Sequence, residues 1–180
     1  MIGLEKGIVR VVPHHPSWHD VFEQERRVLQ EHIGGQALDI QHVGSTAVPG
    51  LDAKPIIDIA VAVASPAMIP ACRQQLCHLG YSDRGDARTE GGYLFVKVRS
   101  AEVRTHHLHI VTVDDPQWSN YLRFRDILTT DDTLRTRYGD LKKTLQVRFA
   151  RDRNAYTDGK NDFIRGVLAA YETVTGGQHA

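Results

Sequence analysis

Gly44 and Ser45 stand in a turn-prone run, and after twelve further residues Asp58 interrupts the apolar stretch from Ile56 to Ala64. A glycine at a strand end lets backbone N–H groups approach a phosphate, and a serine adds a hydroxyl donor. A carboxylate on the next strand can then hold a divalent ion against that phosphate. Gly-Ser turns are common, however, and a lone acid in a strand can simply pair with a lysine such as Lys54, so residue types alone leave both readings open. The surroundings of Asp58 favour a site. Among Ile56, Ile57, Ile59, Val61 and Val63, an ionised carboxylate costs several kcal/mol unless a cation or several hydrogen bonds meet it. Acids placed in this way often mark functional sites.

Histidines supply a candidate partner. The chain has 10, with His14-His15 and His106-His107 as pairs and His109 close behind. On a strand His107, His109 and Val111 share one face, and His106, Leu108 and Ile110 the other. If that strand lies beside the strand of Asp58, cross-strand neighbours come within about 5 Å. Asp58, His107 and His109 are then the expected catalytic groups and the expected ligands of a divalent metal ion; the alternative is a hydrogen-bonded histidine pair in the core. Imidazoles favour zinc, iron or nickel over magnesium, which leaves the ion unassigned.

An anionic ligand also needs cations, and Lys54, Arg104, Arg123, Arg125, Lys142, Lys143 and Lys160 are available. Most belong on amphipathic surfaces. Arg104, just before the histidine strand, and Lys142, in a lysine pair, stand out. The expected binding set for a nucleotide or other phosphorylated small molecule is Gly44, Ser45, Thr46, Lys54, Arg104, Lys142 and Lys160. It is not a P-loop, because G-x-x-x-x-G-K-[ST] occurs nowhere.

The elements that position these residues read as a small mixed sheet with helices. Ile8 to Val12 suggests a short β segment. Ser17 is expected to cap a helix, with Asp20 completing a capping box and Trp18, Phe22, Glu25, Leu29 and Ile33 on its inner face. Leu38 to Val43 and Ile56 to Val63 read as strands, the second buried and central. Pro66 to Leu79 reads as a helix ended by Gly80, and Tyr93 to Val98 and His106 to Val113 as further strands. The C-terminal half is helical: Pro116 to Leu128, a helix marked by Leu134, Tyr138, Leu141, Leu145 and Phe149, and one marked by Phe163, Ile164, Val167, Leu168 and Tyr171. Cys72 and Cys77 lie about 140° apart around a helix, as packed thiols rather than a disulfide.

At this point His42-Val43-Gly44-Ser45-Thr46-Ala47-Val48-Pro49-Gly50-Leu51, continued by Lys54-Pro55-Ile56-Ile57-Asp58-Ile59, resembles the signature of the GrpB family. Thr105-His106-His107-Leu108-His109, Phe124-Arg125-Asp126, Tyr138 with Leu141-Lys142, and Tyr156-Thr157 with Lys160 and Phe163-Ile164 are similar to its later motifs. The resemblance implies an α/β (α+β) nucleotidyltransferase-like fold related to polymerase β: a small mixed sheet flanked by helices, in one domain spanning 1–180. It also implies occasional fusion of such domains to dephospho-coenzyme A kinases. The superfamily pattern is a Gly-Ser pair, an Asp-x-Asp or Asp-x-Glu strand and a third acid on a later strand. Gly44, Ser45 and Asp58 match it. Ala60 stands at the second acid, and His107 and His109 stand on the strand of the third, so the paired carboxylates that a two-metal clamp needs are missing.

Three functions follow from these residues. One is an enzyme, a nucleotidyl- or phosphoryl-group transferase, in which Asp58 works with His107 or His109. A second is a noncatalytic module that binds a ligand or partner in the old pocket. The third is a metal-dependent hydrolase using His42, Asp58, His107 and His109. With 22 basic and 22 acidic residues, no charge excess points to nucleic acid or a membrane. No long apolar run follows Met1, which makes a cytoplasmic protein the expectation. Oligomeric state has no signal in the sequence.

Overall fold

A computed structural model of the protein describes residues 2–86, 92–100 and 102–176. The described strands are β1 (Leu4–Glu5), β2 (Ala37–Val43), β3 (Ile57–Val63), β4 (Tyr81–Asp86), β5 (Tyr93–Ser100) and β6 (Val103–Thr112). The helices are α1 (Ser17–Ile33), α2 (Ile69–His78), α3 (Pro116–Thr130), α4 (Asp132–Arg148) and α5 (Arg153–Gly176). Together they make a mixed α/β fold. The sheet runs β2-β3-β6-β5-β4, with β1 against the start of β6. Neighbours are antiparallel except β3 and β6, which run parallel. Parallel pairing requires cover on both faces, and the apolar run of β3 is buried on both.

Strand alternation gives the two faces different jobs. Ile57, Ile59, Val61 and Val63 of β3, with Leu108, Ile110 and Phe95, pack against Trp18, Phe22, Leu29 and Ile33 of α1 and against α2. The apolar positions of α1 recur every three or four residues, which turns one stripe inward. Its polar member, Glu25, accepts from the Tyr81 hydroxyl at 2.8 Å and from Lys97 Nζ at 2.8 Å. The opposite face presents Asp58 and Ala60 of β3 beside His107 and His109 of β6. Helix α3 lies over it: Arg125 Nη1 donates to Gln41 Oε1 at 2.9 Å and to the His42 carbonyl at 3.0 Å. Val48, Leu51, Leu128 and Tyr138 join the C-terminal helices into a second core.

Several sequence expectations need correction. The segment 8–12 is not a strand; only Val12 bridges to Ala53, because Val9 packs with Leu145 and Tyr156 of the helical half instead. The paired N-terminal residues are Leu4 and Glu5. Ser17 does not cap α1: Pro16 is already helical at φ −55°, so Ser17 falls inside the first turn and its hydroxyl meets His15 Nδ1 at 2.7 Å. Strand β4 escapes pattern reading because it is a largely exposed edge, where no apolar alternation is needed. Residues 66–68 form a 3-10 turn before α2. Strand β6 begins at Val103, where pairing to β1 and β5 extends it. Both cysteines are free; Cys72 is buried, whereas Cys77 is exposed rather than packed. Among the described residues no helix is long and apolar enough to cross a membrane.

Candidate functional site

Strand β2 ends at Val43, and Gly44 then turns the chain with φ 67° and ψ −169°, a region that is essentially glycine-only. A side chain there would also collide, since a Cβ on Gly44 falls 2.6 Å from Asp58 Oδ2. The glycine thus lets the turn fold down onto the carboxylate. Thr46 fixes the turn from below: its hydroxyl donates to the Ile56 carbonyl at 3.4 Å and meets His42 Nε2 at 3.0 Å. Ser45 faces Tyr138 of α4; burial pushes the Tyr138 hydroxyl up in pKa, and Ser45 opposes the shift.

The parallel register of β3 and β6 sets Asp58 directly beside His107 and Ala60 beside His109. His107 Nδ1 lies 3.2 Å from Asp58 Oδ1. Burial pushes the Asp58 carboxyl up, but the hydrogen bond and charge of His107, then His109 and Lys54, outweigh it and hold the group at about 2. Burial dominates at His107 and lowers its pKa, with Asp58 opposing. We take the pair as an ionised carboxylate and a neutral imidazole whose Nδ1–H donates. That tautomer leaves Nε2 as the acceptor nitrogen, which is buried without a hydrogen-bond partner among the described residues. His107 keeps 7% of its side-chain surface; Asp58 keeps 32%, opening onto the cavity that it lines.

That cavity, about 420 Å³, lies between the second face of the sheet, the turn at Gly44, α3 and α5. Gly44, Ser45, Thr46 and Asp58 form one wall, and His107 and His109 contribute from β6. Lys54 and Lys160 also line it, each with Nζ 5.0 Å from the centroid of the Tyr156 ring, a cation–π arrangement that organises both ammoniums. Helix α5 adds Arg153, and also Arg165, which pairs with Asp162 at 2.5 Å. Among the described lining residues Asp58 is the one acid against these four cations, in a chain whose formal net charge is zero.

Other expected residues lie elsewhere. Lys142 is 2% exposed, with Nζ donating to the Asp52 carbonyl and packed 4.8 Å from the Tyr138 ring centroid. Burial pushes its ammonium well down. It supports the segment before Lys54 without lining the cavity. Arg104 sits in the β1–β6 pairing, also outside the cavity. Arg125 clamps β2, Arg123 pairs with Glu172, and Lys143 pairs with Asp52. His42 shares the register position of Ile59, so it faces the α1 core, where its ring stacks on Phe22 at 4.6 Å. The hydrolase constellation that included His42 is therefore not assembled.

A resident metal also fits poorly. Among the described residues no three His, Cys, Asp or Glu side chains are arranged to hold an ion, His107 Nδ1 is turned to Asp58, and Ala60 offers no ligand. Sequence reading missed Gln117, Asn120, Arg153, Asn161 and Arg165. For the three on α5 the signal was helical spacing: 153, 157, 160 and 161, 164 and 165, and 168 recur on one face, visible once that helix is begun at Arg153; Gln117 and Asn120 share a face of α3 with Tyr121 and Phe124.

A sequence model described as "GrpB protein" matches residues 8–170. The "Glutamate-rich protein GrpB" of Alkalihalophilus pseudofirmus is 35% identical over 171 residues, 93% of this chain and 98% of that protein. A dephospho-CoA kinase of Mycolicibacterium paratuberculosis is 31% identical over 185 residues, 90% of this chain but 46% of the kinase. The crystal structure of conserved protein GrpB from Enterococcus faecalis matches with TM-score 0.79 and 32% identity, covering 88% of this chain and 94% of that one. The Cid1 poly(U) polymerase matches with TM-score 0.51 and 16% identity over 77% of this chain and 45% of its own, a likeness of fold alone, which makes the scaffold nucleotidyltransferase-like. The turn at Gly44, the strand of Asp58 and the histidine strand all fall inside the matched span, and the chain belongs to the GrpB family.

Proposed function

We propose that this protein binds a phosphorylated small molecule, such as a nucleotide, in the cavity bounded by the Gly44-Ser45 turn, Asp58 and α5. The observation that carries this reading is three lining cations, Lys54, Arg153 and Lys160, besides an Arg165 paired with Asp162, against one lining acid in an otherwise neutral chain. Cations focused in a concave, partly desolvated site attract an anion far more strongly than the same charges spread over a surface. Lys54, Arg153 and Lys160 meet the phosphate. Asp58 orients His107, whose neutral ring is the form able to take up a proton. In a nucleotidyl- or phosphoryl-group transferase that ring would accept the proton of the attacking group. A divalent ion has too few protein ligands here to be resident, so any metal dependence would enter with the ligand's own phosphate oxygens. Two unpaired thiols, one exposed, fit a reducing compartment such as the cytoplasm.

The test is calorimetric titration of pyrophosphate, with and without magnesium, into wild type, Lys54→Met and Lys160→Met. Each substitution should weaken binding about fivefold to tenfold, the loss of one partly desolvated charge contact. No binding of pyrophosphate or any nucleotide by the wild type would sink the reading.

One observation favours a second reading, a noncatalytic ligand- or partner-binding module. Ala60 is fully buried at the register position of His109, so the second carboxylate of the nucleotidyl-transfer pattern is absent. Under it, His107→Gln leaves ligand affinity intact and there is no turnover to lose; a kcat defect in that variant decides for the enzyme.

A further inference from the structure

We infer that a second cavity, bounded by Pro55 where the first is bounded by Lys54 and Ile56, binds a small apolar carboxylate through the Trp18 indole N–H, Arg10 and Arg99. It shares no lining residue with the first cavity and does not depend on the phosphate reading.

This cavity, about 520 Å³, lies between the N-terminal segment with β1, the approach to α1 that carries the His14-His15 pair, and the junction of β5 with β6. Its volume suits a small molecule. Backbone bonds fix the walls: the Gly3 N–H donates to the Pro55 carbonyl at 2.7 Å, and Val12 and Ala53 exchange N–H···O bonds at 2.9 Å. Gly3 has φ 121°, and a Cβ there would fall 2.8 Å from Val103 Cγ1, so a glycine is needed for the chain to close down on β6. The same position lies 3.6 Å from Arg99 Nη2, which sets that guanidinium against the Gly3 turn, itself part of the lining.

Trp18 lines the cavity at 1% exposure, and its Nε1–H is buried without a hydrogen-bond partner among the described residues. An indole nitrogen only donates, and a buried donor left unmet is costly, so the site calls for an acceptor. The His14 ring meets the indole edge-on, centroids 5.3 Å apart and planes at 82°; this fixes the indole plane but supplies no oxygen. His15 Nδ1 accepts the Ser17 backbone N–H at 3.2 Å, which leaves the proton of the neutral ring on Nε2, a further donor. Arg10 and Arg99 are exposed and pair with no acid among the described residues, and Glu5 is the one acid in the described lining. Donors therefore outnumber acceptors among the lining side chains. A ligand has to bring negative oxygens, which an arginine fork takes two at a time. Ile2, Val12, Pro55 and Val103 complete the lining with apolar surface, which favours a hydrocarbon body beside the charge. A carboxylate offers both, whereas inorganic phosphate has nothing for the apolar wall.

The experiment is a heteronuclear NMR titration of the nitrogen-labelled full chain with phenylacetate, isovalerate, phenylacetamide, inorganic phosphate and a tripeptide ending in phenylalanine. It is followed at the indole N–H of Trp18, told from that of Trp118 by Trp118→Phe. At least one of the two free acids should bind with a Kd of about 1 mM or below, move the Trp18 indole proton downfield and leave that of Trp118 in place. Phenylacetamide should bind about tenfold or more weakly than phenylacetate, for want of the charge. Trp18→Phe, followed at the His14 backbone amide, and Arg99→Met should each weaken the bound acid about fivefold or more, with thermal melts to confirm folding. If Trp18→Phe does not fold, the exposed Arg99 decides. Free acids that leave the Trp18 resonance unmoved, an amide or a phosphate that binds as tightly as the acid, or an affinity unchanged by the variants overturns the carboxylate site. A tripeptide that binds more tightly than both free acids overturns the small-molecule class in favour of a chain terminus. The phosphate site plays no part in these readouts, so its own test stands whatever their outcome.

Discussion

Replacing Gly44 by alanine tests how the site is built, independently of what it binds. Two costs can be worked out from its geometry. The backbone at φ 67° and ψ −169° is strained for any residue with a Cβ, by about 1–3 kcal/mol. The added carbon also falls 2.6 Å from Asp58 Oδ2 and 3.0 Å from Asp58 Cβ, so the carboxylate must swing away and give up its bond to His107. A hydrogen bond to a charged group is worth about 1.5–3 kcal/mol. Together these predict a loss of about 3–5 kcal/mol, or a Tm lower by roughly 10 °C in a chain of this size, read by urea and thermal unfolding. The two costs separate in an Asp58→Ala background. There the clash with Oδ2 and the bond to His107 are gone, while the backbone strain and the 3.0 Å contact remain. Gly44→Ala should then cost only about 1–3 kcal/mol. If it costs the same in both backgrounds, within about 0.5 kcal/mol, the reasoning is refuted: the glycine would serve the turn alone and not the carboxylate.

Two further outcomes are expected. Burial holds His42 and His106 at about 4, below their ordinary 6.5. The unfolded chain therefore binds more protons in that window, and stability is lost as pH falls from about 6.5 to 4, by up to about 1.4 kcal/mol per pH unit for each histidine. Asp58, held at about 2 against an ordinary 3.8, contributes stability that is present above 3.8 and lost as pH falls towards 2. His106→Leu should flatten the first limb of a urea midpoint against pH and Asp58→Asn the second; unchanged slopes would contradict these assignments. Lys142→Met, replacing a buried amine that lies outside the cavity, should leave pyrophosphate affinity within twofold in a titration where Lys54→Met loses fivefold or more. Equal losses would put Lys142 in the binding set after all.

The pairing at the heart of the site was legible because a β-branched apolar run broken by one acid, and a strand with histidines on alternate positions, each carry a strong periodic signal. Their adjacency could only be assumed from sequence; the register of Asp58 with His107 bears it out and adds that the two strands run parallel. The face of His42 followed from register too, but only the antiparallel partner Ile59 reveals it. The cations were harder to sort, since Lys142 and Lys160 look alike on paper. Lys142 turns into the core beneath Asp52 because α4 packs there through Tyr138 and Leu145. Arg153 was hidden by an uncertain helix start: Asp152 caps α5 through the Ala155 N–H at 3.0 Å, a local signal that is easily read as loop.

The Tyr156 ring flanked by Lys54 and Lys160 has a consequence for how binding competence arises. Lys54 belongs to the segment that leads into β3, whereas Tyr156 and Lys160 ride on α5 near the other end of the chain. The sheet can pair Asp58 with His107 over a separation of 49 residues before α5 arrives, but the positive lining is complete only once that helix has docked. Site formation thus needs a long-range closure of the chain, the kind of step that is slow to form and early to open. A bound anion, by joining charges on both segments, should slow hydrogen exchange along α5 more than in β3.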